Sequence, residues 1–266
     1  MEKTMKRTLL LSILLFLLSS TTHADSFDDL QSALRAPDKA TILSIERADD
    51  KIKHLPPELG KLVNLIKLEI ACLEKLEDLP AEIGNLKKLE YLILDNGNGC
   101  VMNVSIPDSI GNLQRLKVLN LYGALDPDLW LHASDKLSPK SKPLPQALRK
   151  LVNLEELNLG RNSLTSVPEQ VASLRNLRKL KLDYSELHQL PAFIGNLTKL
   201  RELSLVGNSG IELPQSLTNI RGLTIHMGNN RLSIEDQKKL KRLFPNATFD
   251  FENAYDDASA NAETNE

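Results

Sequence analysis

The sequence predicts an α/β solenoid, a stack of similar coils each built from one short strand and one tight helical turn. Three observations carry that expectation: a segment repeated six times, a switch of hydrophobic period inside each copy, and a proline held at one place in all of them. The copies align without a gap. Residues 55–70 read LPPELGKLVNLIKLEI, 79–94 LPAEIGNLKKLEYLIL and 106–121 IPDSIGNLQRLKVLNL. Residues 144–159 read LPQALRKLVNLEELNL, 167–182 VPEQVASLRNLRKLKL and 190–205 LPAFIGNLTKLRELSL.

The last three residues of each copy alternate L-x-L with the period of two that a strand requires. The earlier aliphatic residues recur every three, as in a tight helical or 3-10 turn. A proline at the start of that turn sacrifices no hydrogen bond, because its missing N–H would be unpaired there, and its fixed φ suits a first helical position. One unit cannot bury its own leucines. Successive units must therefore stack, strand beside strand, into a parallel sheet over a continuous leucine core, as one domain. The first strand leucines fall at Leu43, Leu68, Leu92, Leu119, Leu157, Leu180 and Leu203, spaced by 25, 24, 27, 38, 23 and 23 residues. Residues 213–227 are one residue short of the pattern, and Ile225 and Met227 are assigned as the inward pair of an eighth strand. The coils then occupy residues 41–232.

This repeat resembles the leucine-rich repeat family, in its roughly 23-residue variety with a Leu-Pro pair, over about residues 27–251. The resemblance implies a horseshoe with its parallel β-sheet on the concave side and short helical or 3-10 turns on the convex side. It also implies a binding scaffold, not an enzyme. Asn162, Ser185, Asn208 and Asn230 lie five places beyond a first strand leucine and resemble the family's asparagine ladder, which hydrogen-bonds the backbone between coils. Ala48, Gly97 and Ala124 depart from that rule in the early coils.

A solenoid needs covers at both ends, where leucines and strand edges would otherwise be open. Residues 25–40 are assigned to an N-terminal cap, with Phe27, Leu30 and Leu34 spaced as in a helix over residues 27–34 that stops before Pro37. Residues 233–252 are assigned to a C-terminal cap. Ser233 is its helix N-cap, Glu235 and Asp236 suit the first turn, and Lys238, Lys239, Lys241 and Arg242 suit the last. Pro245 stops that helix, and Phe249 and Phe251 alternate as in a final strand. Ends of this kind resemble those of exported bacterial repeat proteins.

Residues 1–24 open with Lys3, Lys6 and Arg7 and run apolar from Leu9 to Leu18, too short to span a bilayer but of secretory-signal length. Cleavage is expected after Ala24, which makes the protein secreted or periplasmic. Removing Glu2 and the three basic residues leaves 30 basic and 34 acidic side chains, a net charge of −4. A mildly acidic chain without a basic stripe offers nothing to nucleic acid or to an anionic membrane. Residues 253–266 are small, polar and acidic, and are expected to stay disordered.

Chemistry is sparse. No phosphate loop, dinucleotide glycines or zinc-protease motif is present, and neither cysteine has a histidine and an acid in a recognisable arrangement, so no enzyme and no cofactor are expected. The insertion over residues 123–143 holds Asp126, Asp128, His132 and Asp135, without metal-ligand spacing. Residues 95–99, DNGNG, lack the alternating acids of a calcium loop. Cys72 and Cys100, an even pair in an exported chain, favour a disulfide between neighbouring coils; the alternative puts Cys72 at the ladder place as a small buried group.

Strand alternation sends the residues before, between and after each L-x-L pair to the concave face. They include Tyr91, Ile93 and Asp95, then Val118, Asn120 and Tyr122, with the only tryptophan, Trp130, in the adjoining insertion. Next come Glu156, Asn158 and Gly160, Lys179, Lys181 and Asp183, and Glu202, Ser204 and Val206. An aromatic and aliphatic cluster beside a mixed-charge field has the composition of an anchor and a rim. A partner protein, of a host by the bacterial resemblance, is the leading expectation. A carbohydrate or cell-wall ligand stacked on Tyr91, Tyr122 and Trp130 is the alternative, and a structural adhesin spacer a third. Edman sequencing of the exported protein should return Asp25 first; Met1 from a cytosolic fraction would refute the signal.

Overall fold

A strand of three to five residues is too short to persist alone; it is stable only when neighbours satisfy its backbone and cover its apolar face. The computed structural model describes residues 25–27, 30–46, 52–95, 100, 102–126 and 142–252. It shows ten strands of three to seven residues in one parallel sheet, ordered as in the chain. They are β1 (Asp25–Phe27), β2 (Ala40–Glu46), β3 (Lys67–Ala71), β4 (Tyr91–Asp95) and β5 (Val118–Asn120). Then follow β6 (Glu156–Asn158), β7 (Lys179–Lys181), β8 (Glu202–Ser204), β9 (Leu223–His226) and β10 (Ala247–Asp250). Leu43, Leu68, Leu92, Leu119, Leu157, Leu180, Leu203 and Ile225 stand in register across β2 to β9, and all are fully buried. Ile225 and Met227 are thus the inward pair of the eighth coil, Met227 just beyond the strand.

A 3-10 turn precedes most strands: Pro57–Lys61, Ala81–Asn85, Asp108–Asn112, Gln146–Lys150, Glu169–Ser173, Ala192–Asn196 and Gln215–Asn219. The repeated proline sits one place earlier than the sequence suggests. Pro56, Pro80, Pro107, Pro145, Pro168, Pro191 and Pro214 are N-caps in extended backbone, and each carbonyl accepts the turn's first N–H. Their turns pack closely on the convex side. At Gly84 a Cβ would lie 2.8 Å from both Cβ and the carbonyl oxygen of Ser109 in the next coil, a distance that side chains do not tolerate.

Two polar ladders tie the coils together at opposite ends of the strands. Asn162 Nδ2 donates to Leu159 and, across the coil boundary, to Leu121, while its Oδ1 accepts the Leu125 N–H. Asn208 and Asn230 repeat the bridge, to Leu182 and Leu205 and to Leu205 and Met227. Ser185 is buried at the same place, but its shorter side chain leaves Oγ without a partner. The second ladder, unremarked in the sequence, has Asn64, Asn153 and Asn176 donating to the Asp38, Gln114 and Val152 carbonyls of the coil before.

The N-terminal cap corrects the helix expected over residues 27–34. Phe27 belongs to β1, paired with Leu43, and the helix is only Leu30–Arg35. Helical spacing of three apolar residues was outweighed by the open edge of β2, whose backbone groups need a partner strand. At the other end Ser233 and Asp236 form a reciprocal capping box for the helix Ile234–Leu243, and Asp236 is held below the usual carboxylate range by its hydrogen bonds from Ser233. β10 then pairs with β9, and the Phe249 and Phe251 rings stack with centroids 5.5 Å apart.

A disulfide joins Cys72 to Cys100, with Cα atoms 5.3 Å apart. Leu73, not Cys72, occupies the ladder place of that coil and is buried, so Cys72 is no substitute for an asparagine. Ala124 is buried at its ladder place. Residues 1–24, where a signal is expected, Ala48, Gly97, Asp128, Trp130, His132, Asp135 and residues 253–266 lie outside the described residues. Among the described residues no helix is long and apolar enough to cross a membrane.

Replacing Asn162 by Ala removes its hydrogen bonds to the Leu121, Leu159 and Gly160 carbonyls and takes the acceptor from the Leu125 N–H in the core. Urea unfolding should register a loss of about 2–4 kcal/mol, against less than about 1 kcal/mol for exposed Asn153→Ala. Equal losses would deny the buried ladder its role.

Candidate functional site

The leucines take one side of every strand, so the register sets what the other side displays. The residues before the leucines line up as Lys67, Tyr91, Val118, Glu156, Lys179, Glu202 and Thr224. Those between line up as Glu69, Ile93, Asn120, Asn158, Lys181, Ser204 and His226. At the strand spacing of about 4.8 Å these side chains cover one another. Most are half-buried, and Ser204 is buried.

Tyr91 and Val118 are direct neighbours, as are Ile93 and Asn120, so β4 and β5 present one small apolar patch. On its upstream flank lies the Lys67–Glu69 ion pair, with nitrogen and oxygen 2.6 Å apart. Burial pushes the Tyr91 phenol above its usual pKa. Asn120 and Asn158 use their Oδ1 atoms to accept the N–H groups of Tyr122 and Gly160, which turns the chain out of each strand. Towards β10, Lys179 pairs with Glu202 at 2.8 Å, and His226 Nδ1 is hydrogen-bonded to Asp250 at 2.8 Å. Hydrogen bonding to His226 holds the Asp250 carboxyl below its usual range.

Asp183 behaves differently from the exposed rim charge the sequence suggests. It is half-buried, and its Oδ1 accepts the Val206 N–H of the next coil at 3.0 Å. Desolvation raises its pKa, against the lowering effect of hydrogen bonds from Ser204 and Val206. It is a bracket between coils, sharing the work of the asparagine ladder.

Tyr122 leans away from the β4 patch. Its ring faces Arg161, whose guanidinium carbon lies 5.6 Å from the Tyr122 centroid and 5.1 Å from that of Tyr184. The sequence reading passed over Arg161 and Tyr184 because they follow the concave positions by one residue. The backbone explains their reach: Arg161 and Tyr184 have φ of 54° and 49°, in the left-handed region that Gly123 and Gly207 take at the same place in other coils. A signal was present, since Arg and Tyr stand where other coils carry glycine. Trp130, the remaining residue of the expected cluster, lies outside the described residues.

A family model of the leucine-rich repeat region matches residues 135–244. Among solved structures, internalin C2 of Listeria monocytogenes matches with a TM-score of 0.54 and 23% identity, over 81% of this chain and 83% of that one. A leucine-rich repeat protein of Leptospira interrogans matches with a TM-score of 0.38 and 19% identity, over 85% of this chain and all of the other. No curated protein sequence matches the chain.

The Asp183 shift fixes a sign. A carboxyl whose folded pKa is raised contributes most to stability below its unfolded pKa and loses that contribution as pH rises through the folded value. An asparagine keeps the acceptor without the charge. Asp183→Asn should therefore gain on the wild type in urea midpoint between pH 3.5 and pH 7; a variant that loses ground over that range would contradict the assignment.

Proposed function

We propose that the chain is an exported, non-enzymatic leucine-rich repeat scaffold that binds another protein on its concave face. The observation that carries this reading is the patch of Tyr91, Ile93 and Val118, held side by side by strand register on the face the leucine core does not use. These side chains stand outside the buried leucine core, so removing them opens no cavity in it. An aromatic and two aliphatic residues bordered by Lys67, Glu69 and Glu156 make an apolar anchor with a charged rim. Asn120, Tyr122, Asn158, Lys179 and Lys181 extend the contact surface along β5 to β7.

Export is supported by two independent features. Residues 1–24 have the basic start and apolar run of a cleavable signal. The Cys72–Cys100 bond requires a compartment in which disulfides persist, outside the reducing cytosol. A secreted or periplasmic location follows, and with it a partner on or beyond the cell surface, in the host-facing case a protein of the host.

The test begins with cross-linking of the exported protein in its native setting and mass spectrometry of the captured protein. Affinity for that partner is then measured for Tyr91→Ala and Lys179→Ala. The expected loss is about thirtyfold for the aromatic anchor and about fivefold or less for the rim charge. Melting temperatures within a few degrees of the wild type would show the fold intact. Unchanged affinity for Tyr91→Ala, or saturable binding on a glycan array with no protein captured, would overturn the reading.

A further inference from the structure

The leucine pattern sets no side chain for the place between the two leucines, and β5 and β6 both carry asparagine there, Asn120 in register with Asn158. The two side chains are held in the same way. The Tyr122 N–H donates to Asn120 Oδ1 at 3.0 Å, and the Gly160 N–H donates to Asn158 Oδ1 at 3.0 Å. A backbone N–H can only donate, so the atom facing it must be the oxygen, which leaves the amide nitrogen at the other end of each side chain. Among the described residues neither Nδ2 donates to any group of the chain. Both nitrogens reach solvent, whereas the sealed polar atoms without partners are Asn103 Oδ1, Ser109 Oγ, Ser185 Oγ and Asn230 Oδ1 among the described residues.

Because the same bond fixes both amides, the coil repeat carries one onto the other, and their nitrogens stand about one strand spacing apart, about 4.8 Å. An oxygen centred between them lies about 2.9 Å from each, at an N–O–N angle of about 110°, near the angle between the two lone pairs of a carbonyl oxygen. The pair is a seat for one oxygen that accepts twice.

The surroundings select which oxygen. Ile93 stands beside Asn120 in the row between the leucines, and Val118 precedes Asn120 by two residues on the same face, so one flank is apolar. Glu156, two residues before Asn158, forms the other flank. Its neighbours in register are the uncharged Val118 and Lys179, whose Nζ pairs with Glu202 at 2.8 Å. Glu156 is thus paired with no cation among the described residues. Lys181, next beyond Asn158 in the row, acts on the Asp183 carboxyl. An anion in the seat would meet the Glu156 charge, a neutral carbonyl would not, and a cation beside that carbonyl would be attracted.

We propose that Asn120 and Asn158 receive one main-chain carbonyl oxygen of the partner protein, with an apolar side chain of the same segment on Ile93 and Val118 and a Lys or Arg side chain against Glu156. This rests on the reading of the concave face as a protein-binding surface and adds the chemistry of what binds there: a linear segment in which a basic residue lies close to an apolar one. Every peptide offers neutral carbonyls, so the seat fixes where the segment lies, while the apolar flank and Glu156 choose its side chains.

The test presents a phage-displayed library of random linear dodecapeptides to the full exported protein. Enriched peptides should carry Lys or Arg within about three residues of an aliphatic or aromatic residue. A synthetic copy of the most enriched peptide is then titrated against variants by fluorescence anisotropy. Asn120→Asp and Asn158→Asp keep the oxygen that the Tyr122 and Gly160 N–H groups need and replace only the donor. Each should weaken binding about tenfold, and both together about a hundredfold. The added negative charge alone would favour a basic peptide, so a loss reads the missing donor. Selection on Glu156→Lys, a change that touches neither amide, should remove the basic residue from the enriched peptides. No enriched peptide, enrichment of acidic peptides, a titration indifferent to both Asp variants, or unchanged selection on Glu156→Lys would each overturn the seat. Its failure is distinguishable from that of the partner reading: a captured partner that loses affinity in Tyr91→Ala but not in the Asp variants leaves that reading standing, and one indifferent to all three removes both.

Discussion

The structure depends on one constraint: no coil can satisfy itself. A coil contributes a strand of as few as three residues, one buried face of leucines and several carbonyls pointing into the next layer, and each is completed only by a neighbour. The N–H groups of Leu121, Leu159, Leu182 and Leu205 donate to Asn158, Lys181, Ser204 and His226 one coil further on. Asn162, Asn208 and Asn230 reach the other way, to carbonyls of the coil before. Backbone groups buried without partners are costly, so the strand hydrogen bonds and the buried asparagine ladder are conditions of stacking.

That division of labour leaves the concave face available. With core and ladders carrying stability, the residues before and between the leucines answer only to their lateral neighbours. The sheet's fixed register then converts a linear sequence into an ordered surface on which Tyr91 meets Val118 and Lys179 meets Glu202, although the first pair is 27 residues apart and the second 23. The scaffold is neutral about what that surface recognises. Two features of that surface stand apart from paired charges and glycine turns: the apolar patch on β4 and β5, and Arg161 and Tyr184 with their left-handed backbone.

Much of this was legible in the sequence. The change of period marks turn and strand in every copy, and the register of leucines predicts the lateral pairs, including Ile225 in a coil one residue short. What escaped depends on contacts between coils about 23 residues apart. Phe27 has helical spacing, yet its place is decided by the free edge of β2. Asp183 occupies a concave position, yet the Val206 N–H of the following coil draws it inward. The direction in which Tyr122 leans is set by the Gly160 that makes room for it and by Arg161 in the next coil, neither visible from the L-x-L pattern alone. Asn64, Asn153 and Asn176 pass for ordinary polar surface until their carbonyl partners are known.

The central claim is that the coils form one mutually dependent stack, continuous past the long insertion between β5 and β6. Native-state amide hydrogen exchange, followed with increasing denaturant, reads this directly. The amides of Leu121, Leu159, Leu182 and Leu205 should converge on a single opening free energy with a single denaturant dependence, equal to global unfolding. Two classes of protection, with Leu121 and the coils before it opening separately from those after residue 143, would show that the insertion divides the stack and would contradict the account.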